Sequence, residues 1–124
     1  MEPLALLREL LTRSYAPYSK FPVAALVRGR SGTFYGGVNV ENASYPLSRC
    51  AEQNAVAALV AAGEREVLEV WVMSQGRFPA LPCGGCRQVL AEFAGPETPI
   101  YCWLPDGLGP TYTLGELLPK AFRL

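Results

Sequence analysis

Leucines recur at helical spacing from the start of the chain. Leu4, Leu7 and Leu11 share one face, Leu6 and Leu10 widen it, and Pro3 is an acceptable first-turn residue. Pro17 and Pro22 bracket an irregular stretch over 16–21. Beyond it the period shortens: 23–27 and 33–40 read as the strands of a hairpin turning at 28–32, followed by a polar loop over 42–48 that contains Pro46. Alanine-rich residues 50–62, with Val56, Leu59 and Val60 on one side, predict a helix ended by Gly63; its small side chains suit close packing on a sheet. Residues 68–74 are apolar on both faces apart from Glu69, as in an interior strand. A loop over 76–82, a helix over 83–94 stopped by Gly95-Pro96, a strand over 100–104 and a short helix over 114–118 before Pro119 complete the pattern.

The element order is therefore α-β-β-α-β-α-β-α, a hairpin followed by two αβ crossovers. Crossovers make parallel pairings and leave helices on the sheet faces, so the expected fold class is α/β, a three-layer α/β/α sandwich around a mixed sheet. With 124 residues, no linker and no repeat, one domain over 1–124 is expected. Half the residues are apolar (50%) and 18% are charged, a globular composition. That apolar share is high for so short a chain, and a subunit interface would absorb the surplus. Eleven basic and eleven acidic side chains cancel, and the basic ones form no stripe, which argues against polynucleotide or anionic lipid as the main partner. Glu2, Arg8 and Glu9 interrupt the first apolar segment as a secretory signal would not allow, and no run approaches the ~20 apolar residues of a membrane span. A cytoplasmic protein with no membrane partner is expected.

Four cysteines and no histidine change the picture. Without a secretory signal, metal binding or catalysis is a better use for them than disulfides. Cys50-Ala51-Glu52 and Pro82-Cys83-Gly84-Gly85-Cys86 each fall where a loop runs into a predicted helix. Three protein ligands and one position left for water describe a catalytic zinc site, whereas structural sites usually close with four. Three thiolates exceed the charge of the dication, and two helix N-termini aimed at the sulfurs offset part of the surplus. Thiolates also weaken the lowering of the water pKa towards ~7, which makes a nearby general base more useful; Glu52 is the candidate. Alone, Cys-x-x-Cys is more often a redox pair or part of a structural zinc site, and Cys-x-Glu says almost nothing. Together, in this order and with proline before the second cysteine, they match the zinc-deaminase signature. Cys102, within Tyr101-Cys102-Trp103, reads as a small buried hydrophobe, with a fourth-ligand role as the alternative.

Ser19-Lys20-Phe21-Pro22-Val23, Asn39-Val40-Glu41-Asn42-Ala43-Ser44-Tyr45, the two cysteine motifs with Arg87-Gln88, and Leu117-Leu118-Pro119-Lys120-Ala121-Phe122 follow one another along nearly the whole chain. In these the sequence resembles the small, homotetrameric cytidine deaminases. The resemblance implies a mixed five-stranded sheet and one zinc per subunit on Cys50, Cys83 and Cys86. It implies that Glu52 carries protons to the ring N3 and then to the leaving amine of a nucleoside substrate, giving uridine and ammonia. Asn39 and Glu41, two apart at a strand end and so on one face, would bind the ribose hydroxyls; otherwise they form a polar hairpin end. Phe21 would stack on the pyrimidine, or else pack in the core, and Ala51 would donate its backbone N–H to the base carbonyl. Tyr45 and Phe122 would complete sites across subunit boundaries, with plain packing as the alternative for each. Two positions depart from the family: Gln53, where arginine is common and would offset thiolate charge, and Pro46, where glycine is common. Arg49, Arg87 or Gln88 are candidates for the missing compensation. The competing readings are a deaminase of an aminonucleoside antibiotic, a polynucleotide-editing deaminase, and a zinc-stabilised interaction module, which would need a fourth protein ligand.

Overall fold

In the computed structural model, which describes residues 2–124, the period-two segments assemble into one five-stranded sheet. Its strands are β1 (Val23–Gly29), β2 (Phe34–Val38), β3 (Val67–Ser74), β4 (Pro99–Trp103) and β5 (Thr111–Thr113), in the order β2-β1-β3-β4-β5. β1 is antiparallel to both its neighbours, with Ala25 opposite Gly37 on one side and Val72 on the other. β3 and β4 are parallel, Val72 opposite Cys102, and β5 returns antiparallel against β4. The helices are α1 (Pro3–Leu11), α2 (Ala51–Ala61), α3 (Gly84–Phe93) and the single turn α4 (Leu114–Leu117).

Two expectations need correction. The segment pattern yields four strands, and the fifth, as the family resemblance implies, is β5. At three residues it is too short to show a period, and it exists because Thr113 pairs with Pro99. Only the second crossover joins neighbouring parallel strands. The first, through α2, steps over β1, because β1 already has β2 on one edge and β3 on the other.

Strand alternation divides the apolar side chains between two faces. Ala25, Val27, Val70, Val72, Ile100 and Cys102 pack with Ala55, Val56 and Leu59 of α2 and Leu90 and Ala91 of α3. Ala24, Leu26, Trp71 and Met73 pack on the other side with Leu7 and Leu11 of α1. The result is the expected three layers, with α1 alone forming the thinner one. β3 lies at the centre of the sheet with Val70, Val72 and Met73 no more than 1% exposed, which accounts for its two apolar faces.

One close approach seats the business end of α2. A Cβ on Gly37 of β2 would lie 2.5 Å from both the Ala51 carbonyl oxygen and the Ala55 nitrogen, so only glycine lets the helix rest directly on the strand. Asn54 Nδ2 donates to the Val38 carbonyl at 2.8 Å and ties the same turn down. The helix ends at Gly63, whose φ of +96° is the left-handed conformation that glycine adopts without strain. Between them these contacts press the first turn of α2, with Ala51 and Glu52, against the sheet.

Candidate active site

Cys50 and Cys83 are the N-caps of α2 and α3, each with extended backbone, so both sulfurs sit at the positive ends of helices. Cys86 follows one turn into α3 and is fully buried. The three Sγ atoms lie within 4.8 Å of one another, Cys50 to Cys83 at 4.0 Å and Cys83 to Cys86 at 3.3 Å. Zn–S bonds of ~2.3 Å at tetrahedral angles require sulfurs about 3.8 Å apart, so the trio closes on zinc with little adjustment. Cys102, buried in β4, stands outside the trio, and burial pushes its thiol up to about 11. Among the described residues no fourth His, Cys, Asp or Glu joins the group, which leaves a position open.

The acid–base character of the trio is that of a site built for a cation. The neighbouring Cys86 thiol draws Cys50 down to about 6, while Cys50 in turn, with burial, holds Cys86 well above the usual thiol range. One sulfur gives up its proton only because a neighbour keeps its own; a dication among them removes that conflict. The backbone N–H of Cys86 donates to Cys83 Sγ at 3.4 Å, and Gln53 Nε2 donates to Cys86 Sγ at 3.7 Å. Gln53 thus takes the arginine's place as a donor, but a neutral one. Of the three candidates for the missing compensation, Arg49 contributes: it donates to the Pro46 and Ser48 carbonyls, and its charge helps to lower Cys50. Arg87 donates instead to the Pro82 and Leu117 carbonyls, and Gln88 to that of Phe122.

Glu52 is 5% exposed in the first turn of α2. Burial pushes its carboxyl up to about 7, and the Cys50 sulfur adds to the rise. It lines a hollow of about 170 Å³ together with the three cysteines, Ala51, Asn39, Phe21, Val23, Val72, Ala80 and Leu81. The volume is below the ~300–1,000 Å³ typical of drug-sized ligands and suits a single planar ring. The apolar members Val23, Val72, Ala80 and Leu81 were not legible as site residues, since each reads as ordinary strand or loop.

Backbone pairing brings Asn39 to this hollow. Val40 and Arg49 exchange N–H···O bonds at 3.0 and 2.9 Å, and Tyr15 donates to the Asn39 carbonyl while accepting from Glu41 N, which sets the strand end beside Cys50. Asn39 and Glu41, expected on one face from their spacing, line different hollows. Asn39 Oδ1 accepts from Ser14 Oγ and Val23 N, and its Nδ2 donates to the Phe21 carbonyl. Glu41 accepts from the Tyr18 and Ser19 nitrogens and from Ser19 Oγ, bonds that hold its carboxyl below the usual range. It lines a cleft of about 400 Å³ with Tyr18, Ser19, Tyr45 and Ser48, residues drawn from the same chain segments as the walls of the first hollow. The Tyr45 ring is 71% exposed and meets Tyr18 edge-on at 6.1 Å. Phe122, 69% exposed, lies apart from both. Ser14 and Ser19, which fasten Asn39 and Glu41, sit in or beside the irregular stretch where no periodicity could mark them.

Residues 3–102 match the cytidine and deoxycytidylate deaminase zinc-binding region. The chain is 41% identical over 110 residues to the cytidine deaminase of Sporosarcina psychrophila, covering 89% of this chain and 81% of that one. It is 40% identical over 119 residues to that of Mycoplasma pneumoniae, covering 94% and 89%. The crystal structure of cytidine deaminase from Burkholderia pseudomallei superposes with a TM-score of 0.89 at 37% identity, over 98% of this chain and 100% of that one. Its counterpart from Mycobacterium leprae gives 0.81 at 39%, over 94% of each. With the zinc-binding region matched over 3–102, the fold shared with solved cytidine deaminases and three cysteines gathered as a metal site requires, the chain belongs to the cytidine deaminase family of zinc enzymes.

Proposed function

We propose that residues 1–124 act as one zinc-dependent domain that hydrolyses free cytidine and deoxycytidine to uridine and deoxyuridine plus ammonia, a pyrimidine-salvage reaction. The observation that carries this reading is a buried carboxyl, Glu52, sharing one ring-sized hollow with three converging thiols. One zinc per subunit, held by Cys50, Cys83 and Cys86, would supply a Lewis acid that makes water nucleophilic near neutral pH. Glu52 takes the proton that the attacking water loses as it adds to C4, delivers it to N3, and then passes a proton to the departing amine. A single carboxyl can serve as base and then acid when its pKa lies near the working pH, as burial brings Glu52's towards 7.

The walls orient the substrate. Phe21 offers a ring face to the pyrimidine, and the Ala51 N–H, one of the unpartnered donors of a helix first turn, meets the base carbonyl. Asn39 keeps one N–H free after bonding Phe21, and Glu41 keeps one acceptor site after its three bonds, enough for one ribose hydroxyl each. The exposed Tyr45 and Phe122 reach a neighbouring copy in a homotetramer. Free thiols that must stay reduced to hold metal support a cytoplasmic setting. Among the described residues, no helix is long and apolar enough to cross a membrane.

Ultraviolet absorbance of cytidine, deoxycytidine and free cytosine, followed with purified, metal-analysed protein, tests the proposal. Both nucleosides should be converted and cytosine hardly at all, because binding energy from the sugar is needed at the reacting carbon. Zinc-loaded protein inert on both nucleosides overturns the reading, and equal specificity constants for cytosine and cytidine remove Asn39 and Glu41 from the site.

A further inference from the structure

Arg87 follows the ligand Cys86 directly, yet its side-chain hydrogen bonds go to backbone carbonyls and not to the sulfurs. Its Nε donates to the Pro82 carbonyl at 2.7 Å, and its Nη1 donates to the Leu117 carbonyl at 2.9 Å. Pro82 is fully buried and immediately precedes Cys83, so its carbonyl lies in the peptide plane that sets where the Cys83 backbone enters α3. Leu117 ends α4, whose own start is locked by a capping box between Thr113 and Glu116. The guanidinium is half-buried, and among the described residues no carboxylate lies within ion-pair distance of it. An arginine partly withdrawn from water with two backbone carbonyls as its partners is held there by geometry. A planar fork with donors at fixed angles spans two such oxygens, whereas an ammonium on a flexible stem presents a single point.

The loop before Cys83 has few other anchors. Its described tether is the Ala80 nitrogen, which donates to Ser74 Oγ at 3.1 Å. The mechanism makes no use of Arg87, and its place beside Cys86 in the sequence suggests a charge role that its bonds do not show.

We infer that Arg87 is a positioning residue of the metal centre: its fork fastens the Pro82–Cys83 peptide to the end of α4, so that zinc retention depends on this tie to the C-terminal segment. The inference rests on the three-cysteine metal site and adds to it a dependence on residues outside that site. Partners that orient metal ligands typically contribute ~10–100-fold in metal affinity, and a change of that size is expected here.

The test compares wild type, Arg87→Ala, Arg87→Lys and Arg123→Ala. Zinc affinity is measured by competition with a chelating indicator, and the thiolate absorption of the cobalt(II)-loaded proteins is recorded. Arg123 is the control: its Nη1 donates to the Ala91 carbonyl and so fastens the same C-terminal segment to the far half of α3. The expected result is zinc held ~10–100-fold more weakly by both Arg87 variants, with an altered cobalt spectrum, and wild-type values for Arg123→Ala. If Arg87→Ala does not fold, Arg87→Lys decides, since it keeps the charge and loses the fork. Wild-type affinity and spectrum in Arg87→Lys overturn the inference alone, as does an equal loss in Arg123→Ala. A wild-type protein that takes up no zinc overturns the metal site and this inference together.

Discussion

Replacing Glu52 by glutamine should cut turnover by orders of magnitude and stabilise the metal-free fold, with the stabilisation growing as pH rises. In the folded metal-free protein burial raises this carboxyl from its ordinary 4.5 to about 7. Between those values the native state holds a proton that the unfolded chain has released, so the native state binds more protons and stability falls with increasing pH. The cost is absent below pH 4.5, accumulates up to pH 7 and is complete above it. At 1.36 kcal/mol per pH unit it amounts to about 3 kcal/mol, and at 5% exposure solvent screening reduces it little. Glutamine preserves the shape and cannot ionise, so it escapes this term. Urea unfolding of wild type and Glu52→Gln, in chelator and reductant at pH 5 and pH 8, measures the difference. The variant should gain about 2.5 kcal/mol on wild type between the two pH values, part of the cost being already present at pH 5. With zinc restored, its metal content should match wild type while turnover falls by ~10²–10⁴ or more, since one group serves two proton transfers. A pH-independent stability difference refutes the buried, elevated carboxyl, and near-normal turnover refutes its role in proton transfer.

Replacing Cys50, Cys83 or Cys86 by alanine should strip both zinc and activity, while Cys102→Ala should keep both; full zinc content in Cys83→Ala, read by metal analysis, contradicts the ligand assignment. Gly37→Ala forces a Cβ to within 2.5 Å of the α2 backbone. It should cost ~1–3 kcal/mol in chemical denaturation, as overpacking usually does, and weaken zinc retention because the shifted helix carries Cys50. Light scattering under assay conditions should give a mass near four chains, and activity should fall as dilution or mild denaturant separates them, because the exposed Tyr45 and Phe122 rings would lose the pockets they complete. A fully active monomer rejects both the tetramer and the shared site.

Much of this protein was legible from residue pattern alone, for reasons local to the chain. Helical and strand periods are written in side-chain polarity, so α1, α2, α3, β1, β3 and β4 emerge close to their true bounds, as do the three layers that alternation enforces. The metal centre was equally legible, because ligand spacing within one helical turn and the absence of histidine restrict which side chains can gather there. What stayed hidden depends on pairing between distant segments. β5 has no period of its own and is a strand only because Thr113 meets Pro99. The order β2-β1-β3 follows from which edge of β1 remained free. Asn39 and Glu41, two residues apart, end in separate hollows, because Ser14 and the 18–19 backbone, brought alongside by Tyr15, capture them. Arg87, placed by sequence beside a thiolate, spends its donors on the Pro82 and Leu117 carbonyls. A side chain's type and spacing declare what chemistry it can do, but which partner satisfies it is settled only when packing brings competing donors and acceptors within hydrogen-bond reach.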